Sequence, residues 1–230
     1  MKENVLQVLD LLYPHSCLYC AMNLVKGEDY LCLNCVKDLP LIPWNEGECP
    51  SVANQLKGKI LFEKTYSHLY YFKSGITGRL LKEIKYRGNY KLAYHLGKQF
   101  GNSIVHHDKE ARFDFIVPIP LHPKRILKRG YNQAEWIAKG LSEAMGVPIL
   151  GDAIARVRHN KSQTMKGRQE RIKTAIGLFK VVNQNVLPGK HILVIDDVIT
   201  TGATIEALFH ALKSYDNVKI SVSALCSPYE

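Results

Sequence analysis

The stretch HILVIDDVITTGAT, His191 to Thr204, sets two adjacent carboxylates directly behind an apolar run and follows them with threonines around a glycine. HILVI is rich in β-branched residues and shows no polar alternation, the pattern of a strand buried on both faces of a parallel sheet. Downstream, Ile205, Leu208, Phe209 and Leu212 recur at helical spacing, so the segment predicts a strand, a polar loop and a helix. In open α/β sheets, ligands bind at the carboxyl ends of such strands. Gly202 permits close backbone approach. The amides at the helix start, with the hydroxyls of Thr200, Thr201 and Thr204, form a cradle suited to phosphate. Asp196 and Asp197 cannot ligate phosphate; they accept hydrogen bonds from ribose hydroxyls or hold a hard cation such as Mg²⁺. The combined demand is for a phosphorylated ribose. Neither a Walker loop nor a G-x-G-x-x-G fingerprint occurs.

Working outward, the chain has 230 residues, 46% hydrophobic and 23% charged, enough for one good core and a small appendage. No stretch approaches the roughly 18 to 20 apolar residues of a membrane span, and Glu3 and Asp10 interrupt what would be a signal-peptide core, so the cytoplasm is the expected compartment. Val5, Val8, Leu9 and Leu12 predict instead a short amphipathic helix docking on its own protein. The formal net charge is +10, and it is unevenly placed: Pro118 to Lys180 holds 13 Lys and Arg against 4 Asp and Glu, a net +9. A single-sign stretch beside a phosphate loop points to polyanions, either pyrophosphate or nucleic acid.

Four of the six cysteines form two C-x-x-C pairs, Cys17 with Cys20 and Cys32 with Cys35, separated by eleven residues. In a chain without a secretion signal this spacing favours a tetrahedral Zn²⁺ site over disulfides or a redox pair. Four thiolates leave no open coordination position, so the zinc is structural. Cys49 and Cys226 read as free buried thiols. The expected organisation is a zinc module with its N-terminal helix over residues 1–43, a connector over 44–64 and an α/β domain over 65–230. Within the last, TYSHLYYF and FDFIVPIP read as strands, and 75–105 as two helices broken at Gly88. LHPKRILKRGYNQAE reads as a loop entering a helix near Asn132. The basic stretch from Arg156 to Arg171 reads either as a solvated surface segment or, through Gly167, as a lid.

VIDDVITTGAT resembles the phosphoribosyl pyrophosphate (PRPP) motif of the type I phosphoribosyltransferases. The resemblance implies that Asp196 and Asp197 meet the ribose hydroxyls at the catalytic centre. It also implies that Thr200, Thr201, Gly202, Ala203 and Thr204 hold the 5′-phosphate, with Mg²⁺ accompanying PRPP. Lys124, Arg125, Lys128, Arg129 and Gly130 then fall where that family's pyrophosphate loop lies, as candidates for pyrophosphate or nucleic acid. The RGYNQ stretch (Arg129–Gln133), the acidic motif and the four-cysteine module together resemble the ComF/ComFC competence proteins over essentially the whole chain. That likeness implies a zinc finger joined to a phosphoribosyltransferase fold, and passage of single-stranded DNA into the cytoplasm beside a helicase partner during natural transformation. Two other readings stand beside it: a metabolic phosphoribosyltransferase acting on a base or amine, and a PRPP-sensing regulator that has kept the ligand without the chemistry. No sequence feature identifies an acceptor, so turnover is left open.

Overall fold

A computed structural model describes residues 15–43, 48–157 and 177–229. The expected N-terminal helix at residues 5–12, and all of the lid segment beyond residue 157, lie outside these described residues.

Among the described residues, four strands form one parallel sheet in the order β1 (Thr65–Tyr71), β6 (Lys219–Pro228), β5 (His191–Val198), β2 (Phe115–Pro118). β5 is central, and its apolar run is buried on both faces as its composition predicts. Alternate residues feed two cores. Leu193 and Ile195 face one with Ile84, Phe100 and Ile137, while Ile192 and Val194 face the other with Leu56 and Leu208. The first core lies under helices α3 (Ile76–Tyr86), α4 (Tyr90–His107) and α6 (Gln133–Met145). The second lies under α2 (Pro50–Leu56) and α7 (Ala203–Leu212), with an antiparallel pair of short strands, β3 (Ile154–Arg156) and β4 (Phe179–Val181), beside it. Helices α4 and α6 approach closely because Gly97 and Gly140 sit at their crossing. A Cβ on either would collide with backbone of the opposite helix.

Two segments differ from their reading in the sequence. The stretch taken as a connector carries α2, whose Val52, Ala53 and Leu56 are fully buried. Ser51 Oγ reaches Ser227 Oγ at 2.6 Å and the Cys49 amide donates to Thr65 Oγ1 at 3.0 Å, so this helix is fastened to the sheet. A seven-residue helix shows too few turns for its period to stand out. The basic loop likewise contains a helix, α5 (Pro123–Arg129). It has Pro at its first position, the His122 ring nitrogen accepting from the Lys124 amide at 3.2 Å, and Gly130 closing it in the left-handed region.

His68 on β1 is 4% exposed and stacks on Phe100 with ring centroids 5.4 Å apart. Burial holds its imidazole down to about 4. The folded state therefore refuses a proton that the unfolded chain accepts below about pH 6.5. The stability gained from keeping this ring neutral is complete above that pH and is lost as pH falls towards 4, by about 3 kcal/mol in all. Chemical denaturation of wild type and His68→Gln across that range should show the smaller pH dependence in the variant; equal slopes would contradict this.

Candidate functional site

The sheet carries Asp196 and Asp197 to the carboxyl end of β5, where Ile199 to Gly202 turn into α7. Asp197 is 8% exposed, and the Lys85 ammonium from the end of α3 lies 3.0 Å from its Oδ1. Burial pulls Lys85 down, but Asp197 and then Asp196 more than restore it, so it stays charged with its pKa above the usual lysine value. Asp196 accepts from the Asp197 amide at 2.8 Å and, among the described residues, has no ion-pair partner of this kind. Burial first, and the charge of Asp197 second, push its carboxyl well above the usual carboxylate range. The pair is thus split into one carboxylate neutralised by lysine and one poised to gain from an incoming cation or hydroxyl donors.

Two hollows adjoin the pair. A small one of about 40 Å³ is lined by Asp196 and by Val198 through Ile205. Here Gly202, at φ 72°, starts α7 and turns the helix amides toward the hollow. Gly202 is also pressed against α2: a Cβ there would lie 2.8 Å from Leu56 Cδ2 and 2.9 Å from the Gln55 carbonyl. Lys59 ties the same two elements by donating to the Gln55 and Thr201 carbonyls at 2.6 and 2.9 Å. The loop is therefore set from outside by the helix that the sequence concealed.

The larger hollow, about 340 Å³, lies between the acidic pair and, among the described residues, four cations: Lys85, Arg125, Arg129 and Arg156. Of the basic residues expected on this loop, the structure brings Arg125 and Arg129 to the cavity, one helical turn apart on α5. Lys124 and Lys128, on the other face, are exposed and do not line it. Gln133 Oε1 accepts from Arg129 at 2.8 Å, and Asn132 caps α6 while its amide donates to the Ile119 carbonyl at 3.0 Å. RGYNQ thus acts as one unit, a cation held by the start of the next helix. Arg156, the first residue of the stretch that the sequence reads either as a solvated surface segment or as a lid, sits on β3. Its guanidinium lies 5.5 Å from the Phe179 ring centroid, and its Nε is buried with no hydrogen-bond partner among the described residues. A buried donor left unsatisfied in a polar cavity is costly unless a ligand completes it.

The four sulfurs of Cys17, Cys20, Cys32 and Cys35 all lie within 4.8 Å of one another, with Cys20 and Cys32 at 3.6 Å. A tetrahedron with Zn–S bonds of about 2.3 Å requires sulfurs about 3.8 Å apart, so the cluster fits a structural zinc. The first pair sits on a turn where Ala21 adopts φ 62°, and the second at the start of α1 (Leu33–Lys37). The module is fixed to the domain by Arg79 Nε donating to the Leu18 carbonyl at 3.1 Å and by Tyr30 meeting the His95 ring edge-on at 5.2 Å. Backbone bonds from Ile42 to His68 and from Tyr70 to Pro40 also cover the edge of β1. Cys49 and Cys226 are free and buried, as their isolation in the sequence predicts.

A phosphoribosyltransferase fold with a carboxylate pair at the end of its central strand, joined to a four-cysteine zinc module, is the class these features define. Sequence profiles agree: that of the phosphoribosyl transferase domain matches residues 126–228 and that of the double zinc ribbon domain matches residues 8–66. Competence protein F of Haemophilus influenzae is 26% identical over 227 residues, covering 93% of this chain and 97% of that protein. Competence protein ComFC of Streptococcus pneumoniae is 40% identical over 97 residues, 42% of this chain and 40% of that protein. The DNA utilization protein YhgH of Escherichia coli K12 is 24% identical over 150 residues, 64% of this chain and 65% of that protein. Together, the two domain matches and these relatives support a likeness of the chain to the ComF family of competence proteins. Among the described residues, no helix is long and apolar enough to cross a membrane.

Proposed function

We propose that the chain binds PRPP with Mg²⁺ at the carboxyl end of β5 and single-stranded DNA on its basic surface, and that it serves DNA uptake in the cytoplasm during natural transformation, beside a helicase partner. The observation that carries this reading is the juxtaposition, in one place, of an acidic pair, a phosphate-sized hollow and a cavity rimmed by four cations. In this assignment the loop from Thr200 to Thr204 takes the 5′-phosphate, Asp196 and Asp197 take the ribose hydroxyls, and Arg125, Arg129 and Arg156 face the pyrophosphate. Carboxylate oxygens are suitable donors for Mg²⁺, which bound with PRPP would neutralise charge on the pyrophosphate leaving group. Lys85 pairs with Asp197 at 3.0 Å, and the cationic wall offsets the charge that grows on pyrophosphate if the C1–O bond breaks. The names of the relatives, two competence proteins and a DNA utilization protein, support the DNA role.

The split of α5 refines the test for DNA. Lys124 and Lys128 point away from the cavity, so their charge is available to a strand while Arg125 and Arg129 serve the small ligand. With roughly five phosphates contacted, the logarithm of single-strand affinity should fall against the logarithm of salt with a slope of about −3 to −4. Lys124→Glu with Lys128→Glu should flatten that slope by about one unit or more. Fluorescence anisotropy over a salt series reads both. Affinity that ignores salt would end the DNA reading, and steady pyrophosphate release with one purified base would move the protein to metabolic phosphoribosyl transfer.

A further inference from the structure

We propose that Tyr86 and Tyr90, on the turn between α3 and α4, form a ledge on which unpaired bases of a DNA strand stack, at the mouth of the cavity that holds the acidic pair. The inference rests on the DNA-binding reading and extends it to two aromatic residues outside the basic segment 118–180.

Tyr86 is the last residue of α3 and is 68% exposed; Tyr90 opens α4 and is 38% exposed. A single exposed tyrosine is ordinary, but this is a group. The Tyr90 ring is braced by Trp136 at 4.3 Å and by the edge of Tyr131 at 6.1 Å, while the Tyr131 hydroxyl donates to the Ile84 carbonyl. The turn itself is fixed by Gly88 at φ 71° and by the Asn89 side chain accepting from the Leu92 amide at 3.1 Å. The Tyr90 ring is thus held in place before any ligand arrives, which lowers the entropic cost of stacking on it.

Cations complete the chemistry. The Arg129 guanidinium lies 5.6 Å from the centre of the Tyr86 ring, Lys139 Nζ lies 3.9 Å from that of Trp136, and Arg87 caps α3. Glu83 is shared by Arg79 and Arg87 at 3.4 and 3.1 Å, so two guanidinium groups meet one carboxylate and the turn stays positive. Aromatic faces interleaved with cations are what an unpaired, phosphate-linked chain of bases requires. A duplex keeps its base faces stacked inside and has nothing to offer this ledge. The ledge adjoins the cavity through two residues, since Lys85 immediately precedes Tyr86 and Arg129 both lines the cavity and covers Tyr86.

The test compares a labelled oligothymidylate with an abasic strand carrying the same number of phosphates, by anisotropy with the full chain. Wild type should bind the thymidylate strand about tenfold or more tightly than the abasic one. In Tyr86→Ala with Tyr90→Ala the preference should shrink to about twofold or less, with abasic affinity and salt slope unchanged. Tyr86→Phe with Tyr90→Phe should keep it. Because Tyr90 packs on Trp136, the single variant Tyr86→Ala, at an exposed position, guards against a folding defect and should lose part of the preference. Equal binding of both strands by wild type, or a preference that survives the alanine variants, overturns the ledge while leaving DNA binding intact. A wild type that binds neither strand overturns both.

Discussion

Replacing Asp196 and Asp197 together by asparagine should weaken PRPP binding by a factor of about one hundred or more. Each carboxylate is assigned charge-assisted hydrogen bonds to ribose hydroxyls, at roughly 1.5 to 3 kcal/mol each, and two such losses amount to a factor of roughly 10² to 10⁴. The two positions should separate in stability. Asp196→Asn removes a carboxylate whose ionisation burial and Asp197 already oppose, so the melting temperature should hold or rise. Asp197→Asn strands the Lys85 ammonium, whose side chain is only 18% exposed, at a cost of about 1 to 3 kcal/mol. Titration calorimetry and thermal melts on the three variants check these outcomes. A double variant with wild-type PRPP affinity would show that the loop has been misread.

Loss of zinc should be the larger structural event. In small zinc modules metal binding supplies about 10 to 16 kcal/mol of folding energy, and three of the four thiols here are buried. Cys17→Ser or Cys35→Ser should lower zinc from one equivalent per chain to a small fraction, measured by elemental analysis. The consequence should spread beyond the module. Leu31, Cys17, Cys32 and Cys35 are part of the core formed with Leu80, Leu92 and Leu96, and their release bares the faces of α3 and α4. The variants should therefore aggregate. A metal-free protein that stays folded and soluble would contradict the site.

The parts legible in the sequence were those whose residues are neighbours along the chain. The strand, loop and helix of 191–212 and the two C-x-x-C pairs carry their signals locally, and so do the long amphipathic helices about Gly88. Groups that act through space left no such signal. Lys85 sits in KEIKYRG, which has no signature, and becomes important only because α3 ends beside β5. Arg156 is one of many arginines in a basic stretch until β3 carries it against Phe179 and into the cavity. α2 was too short to show a period, so the contact of Gln55 and Leu56 with Gly202 was out of reach. The four cations of 124–129 read as equivalent in a loop. One signal was available there: Pro123 before the run is a helix start, and a helix divides 125 and 129 from 124 and 128.

The most direct test of the central claim is equilibrium dialysis of radiolabelled PRPP against the zinc-loaded protein in the presence of Mg²⁺. The geometry predicts one bound PRPP per chain, displaced by pyrophosphate and lost in Asp196→Asn with Asp197→Asn. A folded, zinc-loaded protein that retains no PRPP at millimolar ligand would contradict it.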